Sequence, residues 1–285
     1  MKRQSKQKAM QNDQIIRAER GTSLRFLMIG DVVGRPGREA VRALLPGLKK
    51  EFLPDHVIIN VENMAHGAGI SPDTMREALA WEADTYTTGD HAWDNERGNE
   101  VLENQNIPIV RPANYPAGVP GRGYHVFSSG AWRVAVINLQ GQVFFKNHPY
   151  NPFFALDDLL RSKDIADAHI VFVDLQAEAT SEKKAFGWYA DGRVAAVIGT
   201  HTHVPTADAQ ILPQGTGYIT DIGMTGSHHS VIGADRDSAV KHFTTQLKIK
   251  RTYDDAGPSE LGGVVVDVDP QTGKAEHIEG VWRTT

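Results

Sequence analysis

Residues 197–208 read VIGTHTHVPTAD: the end of an apolar run, then His201 and His203 one residue apart. In extended backbone alternate side chains share a face, so both imidazoles are expected to project from one side of a strand end. Two converging neutral imidazoles suit a transition metal. A strand cap beside a solvated histidine is the alternative, and this segment alone leaves both open.

Working outward, the run before His201 belongs to an alternation of strands and helices. LRFLMIG (24–30), HVIINVEN (from His56) and DTYTTG read as buried strands. GREAVRALLPGLKKEF, strained by Pro46, SPDTMREALAWEA and DNERGNEVLENQ read as the helices between them. Ser71 is a plausible N-cap with Pro72 at the first helical position. IPIVRPANYP is expected as a short strand entering a Pro-rich loop. Further on, GYHVFSSGAWRVAVINLQG predicts two strands joined at a Ser-Gly turn, followed by helix FFALDDLLRS, strand HIVFVDLQ, helix SEKKAFGWYADG and strand AAVIGT. TGYITDIG and LGGVVVDVDPQTGKAEHIEGVWR suggest antiparallel hairpins, with one helix near RDSAVKHFTTQ. This order predicts an α/β chain with two mixed sheets flanked by helices, one domain over residues 24–285.

Bulk properties narrow the function. The chain has 285 residues, 40% hydrophobic and 23% charged, an ordinary globule with a substantial core. A net charge of -5 argues against nucleic-acid binding through a broad basic face, so RNA is not an indicated partner. Cysteine is absent, so any metal must be held by His, carboxylates and amides, and a reducing cytoplasm is the expected compartment. No apolar stretch reaches a membrane span, and the start lacks a signal-peptide core. Residues 1–23 carry Lys2, Arg3, Lys6, Lys8, Arg17 and Arg20 against Asp13 and Glu19, and are expected to be a disordered basic arm.

Polar residues gather just past the expected strand ends: Asp31; Glu62 and Asn63; Asp90 and His91; Gln176 and Glu178; His201 and His203. The carboxyl edge of an open α/β sheet is where ligands bind. A lone Asp there is usually a helix cap, but shared metal ligation explains five such strand ends at once. GDVVGRPG is a poor dinucleotide loop, because Gly30, Gly34 and Gly37 are wrongly spaced and Asp31 puts a carboxylate where a pyrophosphate would sit. No G-x-S-x-G elbow is present, and the His pair comes too late for an amidohydrolase barrel.

Beyond geometry, the blocks GDVVGRPG, NVENMAHGAG, TTGDHAWD, VRPANYP, AVINLQG, AEATSEK, GTHTHVPTAD and YITDIGMTG resemble the YmdB-like metallophosphoesterases over about Leu24 to Gly233. That bacterial branch of the calcineurin-like phosphoesterases implies a four-layer α/β/β/α sandwich and a phosphodiesterase acting on cyclic nucleotides or related small phosphodiesters, with a homo-oligomer as an open prospect. It implies two divalent metal ions, iron or manganese first and magnesium or zinc as alternatives. By matched position, Asp31, Glu62, Asn63 and His203 look like ligands of one ion. Glu62 looks like the bridge, and Asp90, Gln176 and His201 complete the second site. His91 matches the acid histidine that protonates the leaving group after attack by a metal-bound hydroxide. Asp94 is read as its orienter or as a helix cap.

Two positions depart from that pattern, both at the second ion: Asp90 stands where the family has Asn, and Gln176 where it has His. Three consequences are open: a second ion of harder character, a weak second site, or a metal- or nucleotide-binding regulatory protein without catalysis. His228 and His229 are candidates for a replacement nitrogen, with solvated loop histidines as the plainer reading. The remaining expectations are structural. Thr180–Glu182 reads as a helix cap and Asn114–Tyr115 as a turn. Asp208 reads as a partner of His203 or a turn cap, and His66 as a phosphate contact.

Overall fold

The computed structural model describes residues 21–249, 252–253 and 257–285, so residues 1–20 of the expected arm lie outside the described residues. Strand β1 (Leu24–Ile29) sits mid-sheet, antiparallel to β12 (Ser259–Asp269) and parallel to β3 (His56–Asn60). Beyond β3 lies β4 (Thr85–Thr87), and beyond β12 lie β11 (Met224–Ser227) and β2 (Asp31–Val32), with β13 (Lys274–Thr284) also pairing β12. The second sheet runs β5 (Tyr124–Ser129), β6 (Trp132–Gln140), β7 (Ile170–Gln176), β8 (Ala196–Thr200), β10 (Gly217–Ile219) and β9 (Gln210–Ile211).

Three apolar cores separate four layers. Phe26 and Met28 of β1 face the second sheet, meeting Val136, Phe172 and Ile198; the rings of Phe26 and Phe172 are 4.3 Å apart. Leu27 and Ile29 face the other way, against Val41, Leu45 and Leu48 of α1 (Gly34–Phe52). With α1 pack α2 (Pro72–Leu79) and α3 (Gly98–Glu103). On the far side, Leu139, Val173 and Val197 pack on Leu156 of α4 (Pro152–Arg161) and Phe186 of α5 (Thr180–Ala190). Burial on both faces explains why these strands read as continuous apolar runs rather than alternations. The architecture is the α/β/β/α sandwich of two mixed sheets.

Local chemistry sets several boundaries. Ser71 caps α2 in a reciprocal capping box with Thr74, as its position before Pro72 suggests. Pro46 lies inside α1, which continues through it. Two expectations need correcting. IPIVRP forms only an isolated bridge from Ile109 to Tyr86. The helix after His91 is shorter, beginning at Gly98. TGYITDIG does form an antiparallel hairpin, β10 pairing with β9, while its other edge runs parallel to β8. The remaining helix, α6 (Arg236–Thr245), buries none of its residues. No helix among the described residues is long and apolar enough to cross a membrane.

Candidate metal centre

The strand order brings the polar strand ends to one edge. Asp31 follows β1, Glu62 and Asn63 follow β3, and Asp90 and His91 follow β4 in the first sheet; Gln176 ends β7 and His201 follows β8 in the second. Glu62, Asn63, His91, His201 and His203 line one cavity of about 930 Å³, together with Val231, Ile232 and Phe243. Asp31, Glu62, Asn63 and Gln176 are buried.

Around Asp31 two acceptor oxygens are unsatisfied. Asp31 Oδ2 accepts the His201 backbone N–H at 3.0 Å, but Oδ1 is buried without a partner. Asn63 Nδ2 donates to Gly67 O at 3.0 Å, which turns Oδ1 away; that oxygen too is buried and unpartnered. His203 Nδ1 lies 2.9 Å from the Ile232 carbonyl, so Nδ1 carries the proton and Nε2 keeps its lone pair. Burial, with Asp221 nearby, pushes the Asp31 carboxyl up despite His203 and His201. Burial, then Asp90 and Asp31, pushes Glu62 well up. Two orphaned oxygens, a lone-pair imidazole and crowded carboxylates are a donor set that suits a divalent cation.

Around Asp90 the same inventory is already paired. Gln176 Nε2 donates to Glu62 Oε1 and, at 3.1 Å, to Asp90 Oδ1, and lies 3.0 Å from His201 Nδ1. His201 spans Asp90 at 3.3 Å and Glu178 at 2.9 Å. Burial pushes Asp90 up, but the His201 bond, the two imidazoles and Gln176 outweigh it and hold it at about 2. Behind this cluster Thr200 Oγ1 reaches Gln176 Oε1 at 2.7 Å and Asp174 Oδ1 at 2.6 Å. One hydroxyl hydrogen cannot serve both, and burial pushes the Asp174 carboxyl up to about 7 against the hydrogen bonds from Thr200 and Asn60.

The histidine pair is not in extended backbone. β8 stops at Thr200, and His201 (φ 95°) and His203 (φ 65°) are both left-handed, a conformation that costs non-glycine residues. Buried Lys183 on α5 holds it, donating to Thr200 O and Asp221 Oδ2 at 2.6 Å each, while Asp221 also accepts the Thr202 N–H at 3.1 Å. The turn sends His201 toward Asp90 and His203 toward Asp31. Sequence reasoning passed over Lys183 and Asp221. Asp221 follows β10 as the other site residues follow their strands, and that was the available signal.

His91 stands beside the carboxylates, its Nδ1 2.7 Å from Asp94 Oδ2 and its Nε2 3.9 Å from Asp90 Oδ2. Asp94 therefore orients His91, and α3 is instead preceded by Arg97. Glu182 caps nothing; its carboxylate accepts from the N–H groups of Gln142 (2.8 Å) and Val143 (3.1 Å), pinning a neighbouring loop. Asp208 binds Thr206 and Thr220 rather than His203. Asn114 is a clamp on Gln140 and Tyr150. His228 pairs with Glu260, which accounts for its nitrogen elsewhere. His66 is exposed with φ 55°.

Layer order and edge define a metallophosphatase-fold protein. Haemophilus influenzae NAD nucleotidase shares that fold, with TM-score 0.56 at 15% identity over 92% of this chain and 56% of that one. The family model described as YmdB-like protein matches residues 27–281, and the chain belongs to that family. A 2′,3′-cyclic-nucleotide 2′-phosphodiesterase of Bacillus subtilis (strain 168) is 45% identical over 259 residues, 90% of this chain and 96% of that protein. The crystal structure of a novel phosphatase from Mycoplasma pneumoniae superposes with TM-score 0.86 at 33% identity, covering 92% of this chain and 94% of that one.

Proposed function

We propose that this phosphoesterase is a divalent-cation-dependent phosphodiesterase that opens cyclic nucleotides, 2′,3′-cyclic nucleotides first, or related small phosphodiesters. The observation that carries the reading is the pair of buried, partnerless oxygens, Asp31 Oδ1 and Asn63 Oδ1, in the neighbourhood of Glu62 and His203. These four residues would hold the cation, which would supply Lewis acidity at a phosphoryl oxygen and to a bound water. The protein's own groups do the rest. His91, with Nδ1–H fixed on Asp94, acts with Nε2 also protonated and gives that Nε2 proton to the departing ester oxygen as the P–O bond breaks. The cavity is large enough for a nucleotide, with Ile232 and Phe243 as an apolar wall for a base. Residues 24–285 act as one catalytic domain, and Asp90, Gln176 and His201 form a second candidate position beside Glu62.

The test uses protein stripped with chelator and dialysed. Manganese should restore hydrolysis of bis(p-nitrophenyl) phosphate and of 2′,3′-cyclic AMP, and no turnover with any divalent ion would reject the reading. Gln176 favours one alternative, a nucleotide-binding regulatory protein. It predicts calorimetric binding of cyclic AMP with the ligand recovered intact.

A further inference from the structure

The second candidate position is occupied from within. We infer that the Gln176 carboxamide stands in for the second cation, so that this protein binds one divalent ion, held by Asp31, Glu62, Asn63 and His203. The inference deepens the proposed function and rests on it.

The geometry is specific. Glu62, Asp90 and His201 offer ligand atoms that lie within 4.8 Å of one another, a spacing that by itself would suit a metal. Gln176 Nε2 touches a ligand atom on all three: Glu62 Oε1, Asp90 Oδ1 at 3.1 Å and His201 Nδ1 at 3.0 Å. A cation bound to the same three atoms would sit about 2.0–2.3 Å from each, inside the volume that the amide NH₂ now fills. Its two N–H groups do for Glu62 and Asp90 part of what a cation does, bringing positive charge to two carboxylates in a buried place.

The amide is not free to step aside. Gln176 is fully buried, and Thr200 Oγ1 holds Oε1 at 2.7 Å. Only glycine fits beside it: a Cβ built at position 89 would fall 2.4 Å from Gln176 Cδ and 2.5 Å from Nε2. The contrast with Asp31 is direct. Buried, partnerless oxygens occur on Asp31 and Asn63, while none of Glu62, Asp90, Gln176 or His201 has a buried polar atom lacking a partner.

Turning the amide by half a turn would aim Oε1 at two carboxylates, a repulsive arrangement unless a cation lies between them. A histidine at this position differs in kind, because one ring nitrogen offers a lone pair with no N–H pointed at the ion. The substitution noted in the sequence thus exchanges a ligand for a plug, and the extra charge of Asp90 is met by donors rather than by metal.

The experiment counts ions. Full-length wild type, Gln176→His and Gln176→Ala are saturated with manganese(II) and desalted. Manganese per chain is measured by elemental analysis, and coupling between ions by electron paramagnetic resonance. The expected result is one uncoupled ion per wild-type chain and two in Gln176→His with exchange coupling, with Gln176→Ala gaining second-site affinity by about 10-fold or more. Two coupled ions in the wild type overturn the inference, and so does a count of one in all three folded proteins. Should a variant fail to fold, the wild-type count decides by itself. An inactive wild type that holds no manganese instead refutes the proposed function, which separates the two failures.

Discussion

Glu62 feels two carboxylates, Asp90 and Asp31, and their neighbourhoods are built on opposite plans. Near Asp31 the protein leaves acceptors buried and unpaired, an arrangement that costs about 1–3 kcal/mol per group unless something else satisfies them. Near Asp90 it spends an amide, an imidazole nitrogen and a hydroxyl to pair the groups. The difference teaches where binding energy for an ion can come from. A site gains most when the ligand relieves an unsatisfied group, and least when it must first displace good hydrogen bonds.

Mutating each side separately gives the largest contrast. Asp31→Asn should lower phosphodiester turnover by about 10⁴-fold and abolish manganese retention, whereas Asp90→Asn should cost only about 10-fold. Steady-state kinetics with elemental analysis checks both, and equal losses would break the contrast. Lys183→Met strikes both sides together, because Lys183 and Asp221 hold the left-handed loop that sends one histidine each way. Removing one partner of so buried a pair should destabilise the fold by about 3–5 kcal/mol, readable by urea denaturation.

His91 belongs to neither side. His91→Ala should slow opening of 2′,3′-cyclic AMP by about 10²-fold. It should cost far less with bis(p-nitrophenyl) phosphate, whose leaving group needs little protonation. Asp94→Asn should show the same substrate dependence at about 10-fold. The smallest effect lies away from both positions. Bonds from Thr220 and Thr206 and the Lys184 ion pair outweigh burial and hold Asp208 down at about 2. A lowered carboxyl contributes stability above its unfolded value near 3.8 and loses it as pH falls through about 2. Asp208→Asn should therefore flatten that part of an acid-denaturation curve.

Much of this was legible before any coordinates. Asp31, Glu62, Asn63, Asp90 and His91 each follow an apolar run, and parallel pairing must bring such ends to one edge. The layers were legible because runs like LRFLMIG have no polar face to give to water. The path after Thr200 was not. Alternation suggested that His201 and His203 share a face, yet tertiary hydrogen bonds to Asp31 and Asp221 force a left-handed turn that no local propensity favours. Lys183 was hidden for a related reason: a lysine in SEKKAF reads as solvated, and only the fold places Asp221 within its reach. Gln176 was visible as a substitution, but its orientation depends on Thr200, distant in sequence.

Anomalous diffraction from manganese-soaked crystals of the wild type tests the central claim most directly. The account predicts one peak, coordinated by Asp31, Asn63 and His203 with Glu62 alongside, and Gln176 still bonded to Glu62 and Asp90. A pair of peaks flanking Glu62 with Gln176 turned away, or no peak beside Asp31, would contradict it.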